Sequence, residues 1–325
     1  MGHELNWGLP VISYLFLAGL GAGALTVSAS VFLRGGGGGF GNGHFAVARY
    51  GALIAPLPVI VGCGLLILEL GSFQTGHWFK WLNLYRTITL SPMSIGTWLL
   101  TLFIIISVIY GYTFLPREAS AGDKLEPLRK AMAWIGVPLG IGVAIYTGVL
   151  LGAMPSRPFW NSPILAMLFL LSSLSTGVAA ILLTRAVLHK GKRDADVAQS
   201  SYLLTTSDVL LIGFELVVIF LFIMFAYLTV GDVGYAVSVI LFGDRSMEMF
   251  GANLAVPFWL GVVLIGLLIP AVTELFYVSP KLLYQRQFGP PYGVEVIVPV
   301  AVLVGGFVLR YVVVIAGQVT GPIGI

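Results

Sequence analysis

The residues best equipped for chemistry lie where charge is expensive. In YTGVLLGAMPSRPFWNSP (146–163) a lone tyrosine, Tyr146, interrupts an apolar run, and eleven residues later Arg157 stands among prolines and aromatics. Glu69, Asp208, Glu215, Glu274, Glu295 and Arg310 also fall within or at the ends of long apolar runs. A charged side chain in a bilayer costs ~2.5 kcal/mol or more and marks either a function or a partner. A phenol is the milder group, donating a hydrogen bond without carrying charge. A buried carboxyl can take up and release a proton, so acids following one another inward from a membrane face suit a relay. Asp208, at a run start, suits a helix cap equally well, and Glu295, also at a run start, suits a structural role. Glu215, seven residues beyond Asp208 on the same helical face and ~10 Å deeper, needs a partner or a proton.

Other chemistries are excluded. The four histidines, His3, His44, His77 and His189, all fall in termini or loops. A membrane b-type haem wants paired axial histidines on helices, so no haem is expected. The single cysteine, Cys63, rules out intrachain disulfides and cysteine-held iron–sulfur clusters, which need four thiolates. No metal is expected in this chain. Scattered basic residues and a net charge of +3 give no basis for nucleic-acid binding.

The elements that position these residues follow from composition. Of 325 residues, 58% are hydrophobic and 10% charged, against roughly 25% charged in soluble domains, and the mean hydropathy is +0.98. This is the composition of an all-α integral membrane protein. A spanning helix needs about 20 apolar residues, and eight such runs are present: 11–33, 46–70, 93–116, 130–153, 164–188, 208–230, 256–278 and 293–317. The segment before the first run has no Lys or Arg, so that run reads as a retained helix and not a signal peptide.

Charge then orients the spans. Of the 17 Lys and Arg, twelve fall in linkers after spans 1, 3, 5 and 7, and four (Lys80, Arg86, Arg157, Arg245) on the other side, with Arg310 inside span 8. Basic residues favour the cytoplasmic side, so both termini are expected to be extracytoplasmic. Even spans then run outward. Glu69, Tyr146 and Arg310 fall in their outer parts, and Asp208, Glu215 and Glu274 form an inner set.

The linkers differ in kind. RGGGGGFGNGH (34–44) reads as a flexible connector, since a phosphate-binding loop would need a preceding strand. GLGAGA (19–24) reads as small-residue helix packing. Residues 117–130 and 189–201 read as solvated cytoplasmic connectors. The aromatic loop 71–92 suits an interfacial belt or a docking surface for a soluble partner, and 231–255 is a second outer loop.

Five stretches taken together carry a resemblance: LYRTITLSPMSIGTW (84–98), PSRPFWNSP (155–163) with LFLLSSLSTGVAA (168–180), DVLLIGFELVV (208–218) and GGFVLRYVVVIAGQ (305–318). In this order they resemble the NrfD-type family of quinone-reactive membrane subunits, which includes the polysulfide reductase anchor. The resemblance implies two four-helix bundles, 1–163 and 164–325, with a quinone pocket in the first near the outer face, and the inner acids read above suit a proton path in the second. In the polysulfide reductase anchor a pocket tyrosine lies eleven residues before the arginine of an Arg-Pro-aromatic-Trp-Asn motif. Tyr146, Arg157 and Trp160 match that pattern. The position of a first-helix pocket histidine falls at Tyr14, a departure, and Glu69 falls close to a family acid.

The implied site is thus Tyr14, Tyr146, Arg157 and Trp160 around a quinone, menaquinone or ubiquinone, with Tyr146 and Glu69 handling protons. Arg157 would stabilise negative charge on the ring or pair with a carboxylate. Asp208, Glu215, Glu274 and Arg310 would line the proton path. The implied partners are a ferredoxin-like 4Fe–4S subunit on the extracytoplasmic face and a molybdopterin or multihaem catalytic subunit beyond it. The implied location is a bacterial or archaeal cytoplasmic (inner) membrane, in a quinone-dependent oxidoreductase whose catalytic metal site lies in a partner. Two rival readings are a secondary transporter or proton channel, for which broken helices such as one at Pro270 should recur in both halves, and a purely structural anchor, which leaves Glu215 unexplained.

The orientation is directly checkable. A reporter fused after Lys192 is expected to score cytoplasmic and one fused at Ile325 extracytoplasmic, and the reverse pattern would overturn the assignment.

Overall fold

In lipid every backbone N–H and C=O must be satisfied within the protein, so spanning segments coil into helices. The computed structural model describes residues 7–35, 43–70, 82–86, 91–115, 124–154, 156–188, 195–229, 231–243, 253–284 and 288–319. Among these, every regular element is helical: α1 (Leu9–Arg34), α2 (His44–Ile54), α3 (Pro56–Leu70), α4 (Asn83–Arg86), α5 (Pro92–Tyr112), α6 (Glu126–Gly152), α7 (Pro163–Leu188), α8 (Ala195–Leu228), α9 (Asp232–Phe242), a π-helical segment Pro257–Leu268 running into α10 (Ile269–Tyr284), and α11 (Tyr292–Val319). Among the described residues eight spans are long and apolar enough to cross a membrane, and each overlaps one of the eight apolar runs. The second span is α2 and α3, and the seventh is the π segment with α10.

α1 is the hub. It packs against α2, α3, α6, α7 and α11, while α7 packs against α1, α6, α8 and α11. The hub is the least apolar of the eight spans, yet it is 72% buried, whereas the most apolar one, Ala198–Leu228, is 28% buried. Lipid is as apolar as leucine, so tight helix contact comes from small residues and polar groups, and the greasiest faces turn outward. The glycines of α1 show the mechanism. A Cβ on Gly23 would overlap the Ser173 carbonyl of α7, and one on Gly177 would lie 2.8 Å from the Gly23 Cα, so the two backbones touch.

Five sequence expectations change here. α8 begins thirteen residues before Asp208, which therefore lies inside the helix and caps nothing. Part of the connector 189–201 is likewise helix. Just beyond it, Thr206 Oγ1 and Ser207 Oγ donate back to the carbonyls of Tyr202 and Leu203, so these hydroxyls are satisfied within the helix. Arg129, read as part of a solvated connector, lies in the first turn of α6 and is 2% exposed. Its guanidinium carbon sits 5.7, 5.0 and 4.7 Å from the ring centres of Phe32, Phe45 and Phe114, where cation–π attraction substitutes for water. The outer loop 231–255 contains α9. Pro270, which has no N–H to donate, lies just past the π segment, so the expected break is a change of winding. Most of the glycine linker and of the loop 71–92 lies outside the described residues.

Candidate functional site

The first polar site is built on α1, α3, α5 and α6. Tyr14 is fully buried and Tyr146 is 8% exposed, and the two phenols lie within electrostatic range of one another and of Cys63. Two glycines shape the site. Gly62 of α3 abuts Tyr14, where a Cβ would sit 3.4 Å from the ring Cδ2, and Gly96 of α5 lies directly under the Tyr146 hydroxyl, which a Cβ would overlap. The Tyr14 hydroxyl has no hydrogen-bond partner. An unsatisfied buried hydroxyl costs about 1–3 kcal/mol. Glu69 stands on the last turn of α3, and its side chain lies outside the described residues.

The turn between α6 and α7 is latched onto both ends of the helical course. Arg157 Nη1 donates to the Gln318 carbonyl at 3.1 Å, and Trp160 Nε1 to the Val313 carbonyl at 2.9 Å. Gln318 in turn accepts from the Trp7 N–H at 2.9 Å and donates to the Trp7 carbonyl at 3.0 Å. The indoles of Trp7 and Trp160 stack with centres 5.3 Å apart. Arg157 is thus tied to the end of α11 through a backbone carbonyl. Partial burial lowers its pKa from the ordinary guanidinium value.

The second polar site is a succession of buried groups between α7, α8, α10 and α11. Arg310 is fully buried, and Asp208, Glu215 and Glu274 are at most 4% exposed. Arg310 Nη1 donates to Ser172 Oγ and Nη2 to Ser173 Oγ, both at 3.1 Å, and Nη1 also donates to the Gly306 carbonyl at 2.7 Å. Glu215 lies within electrostatic range of Ser172 and of Arg310. Ser175 Oγ donates to Asp208 Oδ1 at 2.7 Å, and Glu274 approaches Asp208. Asp208 Oδ2, Glu274 Oε2 and Arg310 Nε have no hydrogen-bond partner. The guanidinium fits because Gly19 of α1 leaves room, its Cβ position lying 2.7 Å from Nη2. Phe16 and Phe169 stand with ring centres 5.7 and 5.2 Å from Cζ.

The structure therefore brings Tyr14 to Tyr146, and Asp208, Glu215, Glu274 and Arg310 into one succession, while Arg157 and Trp160 serve the latch. Sequence reasoning missed Ser172, Ser173 and Ser175, although three serines within one apolar helix were a visible signal. It also missed Gly96, Trp7 and Gln318, which carry no signal without knowing what they face. Among the described residues no three His, Cys, Asp or Glu side chains gather to hold a metal ion.

Comparison with known proteins agrees in extent. The family model described as "Polysulphide reductase, NrfD" matches residues 1–322. A "Protein NrfD homolog" of Haemophilus influenzae is 29% identical over 98% of this sequence and 96% of its own length. "Protein NrfD" of Escherichia coli is 27% identical over 98% and 96%. The C subunit of the polysulfide reductase of Wolinella succinogenes is 28% identical over 97% and 95%.

The contact between Gly96 and Tyr146 can be tested as a double-mutant cycle. Gly96→Ala should cost about 1–3 kcal/mol in thermal or denaturant unfolding, as overpacking does. Tyr146→Leu removes the opposing ring, so the double variant should recover much of that cost. Additivity within ~0.5 kcal/mol would show that the ring is not packed on Gly96.

Proposed function

We propose that this protein, which belongs to the NrfD polysulphide reductase family, is the quinone-reactive membrane subunit of a respiratory oxidoreductase. It exchanges electrons between menaquinone or ubiquinone in the membrane and an iron–sulfur subunit docked on the extracytoplasmic face, with the catalytic metal centre in a further subunit. The Wolinella relative is by its name one lettered subunit of a polysulfide reductase, which supports a place among several subunits. In this reading residues 1–163 carry the quinone site, residues 164–325 the proton path, and both termini face outward from the inner membrane.

The observation that carries the quinone reading is the Tyr14 hydroxyl, fully buried, unpartnered and beside Tyr146. A ring carbonyl is the acceptor such a donor lacks, and an apolar site with few convergent polar groups is the usual form of a small-molecule pocket. The residues present therefore fit a quinone head group, which supplies a two-electron, two-proton couple when bound. Tyr14 and Tyr146 hold its carbonyl oxygens by hydrogen bonds, and Tyr146 passes the proton there. Arg157 and Trp160, pinned to α11, close the mouth against water. Glu69, at the end of α3, hands protons on to the outer face.

The row of acids favours a second element of function. Glu274, Asp208, Glu215 and Arg310 form a succession of polar groups in which carboxyls can carry protons between the cytoplasmic side and the interior. The rival reading, a proton channel or secondary transporter, uses the same row without a quinone.

Two experiments test this. Tyr14→Phe removes a hydroxyl that the fold leaves unsatisfied, so unfolding stability should be unchanged or raised. Quinone affinity of the intact complex should fall by one hydrogen bond, ~0.5–1.5 kcal/mol, and Tyr146→Phe should lower turnover at least as much. Wild-type quinone kinetics in both variants would refute the site. Glu215→Gln keeps size and hydrogen bonding but cannot ionise. Reconstituted in vesicles, it should assemble normally and lose proton movement coupled to turnover. Unchanged proton movement would make Glu215 structural, and proton flux without any quinone dependence in the wild type would favour the channel.

A further inference from the structure

A cavity of about 340 Å³ lies away from both polar sites, between the α6–α7 turn and the ends of α8 and α9. Its wall on the turn side is Phe159, Asn161 and Ser162, and on the α8 side Phe222, Phe225 and Ala226. Phe222 and Ala226 are buried, whereas Phe225 is 46% exposed, so the space runs from a closed inner end to a mouth on the outward face of α8. Phe159 and Phe222 meet edge to face with centres 5.3 Å apart.

One polar group in this lining is out of place. Ser162 is 7% exposed, and its hydroxyl has no hydrogen-bond partner. Thr229, also in the lining, donates its own hydroxyl to the Phe225 carbonyl at 2.8 Å, leaving its oxygen as an acceptor only. Asn161 presents an amide at the exposed rim. The cavity therefore combines aromatic walls, one unspent buried hydroxyl and a rim amide.

That combination selects among ligands. Among the described residues no Lys or Arg lines the cavity, so the charge-assisted contacts a phosphate headgroup needs are lacking. A neutral flat ring bearing carbonyl oxygens fits, with Ser162 donating to one oxygen and Asn161 to another while phenylalanines cover its faces. The volume lies in the range of small-molecule sites. We propose that this cavity is a second docking site for a quinone ring, reached from the membrane along α8 and separate from the Tyr14–Tyr146 pocket. The ligand class rests on the quinone reading above. The cavity shares Phe159 and Asn161 with the turn that carries Arg157 and Trp160, so a ring docked there leans on the same latch.

The test is photolabelling of the full-length protein in lipid nanodiscs with an azido-substituted short-chain naphthoquinone, mapped by peptide mass spectrometry. Label is expected in 158–162 or 222–229, as well as near Tyr14 or Tyr146, and excess unlabelled quinone should compete it away. Ser162→Ala, whose lost hydroxyl bonds nothing in the fold, should weaken competition at the cavity about two- to tenfold without changing label near Tyr146. Ala226→Trp should fill the cavity and abolish its label alone. Label near Tyr14 and Tyr146 only overturns this inference and leaves the proposed function standing. Label in the cavity only upholds it while removing the first pocket, and label in neither removes both. Displacement of cavity label by lysophospholipid but not by quinone, or wild-type cavity binding in Ser162→Ala, overturns it too.

Discussion

The backbones of α1 and α7 touch at Gly23 and Gly177, and the buried charged site depends on that contact. Without apolar driving force between helices, this approach is what dispersion and small residues can supply. It presses the serine row of α7 against the hub helix. Ser173, whose carbonyl abuts Gly23, also accepts from Arg310. Beside it, Ser172 also accepts from Arg310, and Glu215 lies within electrostatic range of both. Gly19 on the same face of α1 gives the guanidinium its space. A larger side chain at either touching glycine would move the serines, and with them the only cation among the buried acids of the described residues.

The buried row has the energetics of a group that is retained in spite of its cost. Desolvating ionisable groups is expensive, and an apolar replacement of matching shape is often as stable. Here three carboxyls and one guanidinium lie inside the spans, and three of their polar atoms are left without partners. Packing alone gives no reason for that arrangement. The same holds in smaller measure for Tyr14, since a phenylalanine would fill its place without an orphan hydroxyl. The contrast is Arg129, where three phenylalanine rings and the Thr113 carbonyl surround the charge and a purely structural clamp is sufficient.

The latch at the α6–α7 turn ties together three parts of the chain that are distant in sequence. Trp7 before α1, Trp160 in the turn and Gln318 near the end of α11 are joined by hydrogen bonds and a stacked indole pair. These residues are more than 150 positions apart in the sequence, so the first helix, the last helix and the turn cannot move independently.

The eight spans, their order and the presence of costly groups inside them were legible in the amino-acid sequence, because hydropathy over about twenty residues reports directly on transfer into lipid. Tyr146, Glu215 and Arg310 stood out for the same reason, each breaking an otherwise apolar run. Helix ends were less legible. The start of α8 reads as polar, yet the helix already begins at Ala195, thirteen residues before Asp208. Arg129 read as solvated because a single basic residue near a linker does not show which neighbours will enclose it. Only the tertiary structure decided which polar groups meet. That the hydroxyls of Tyr14 and Ser162 are buried without partners is visible only once the helices are packed. Facing across helices is set by backbone approach at a few small residues, and that is a property of pairs of helices that no single run of sequence contains.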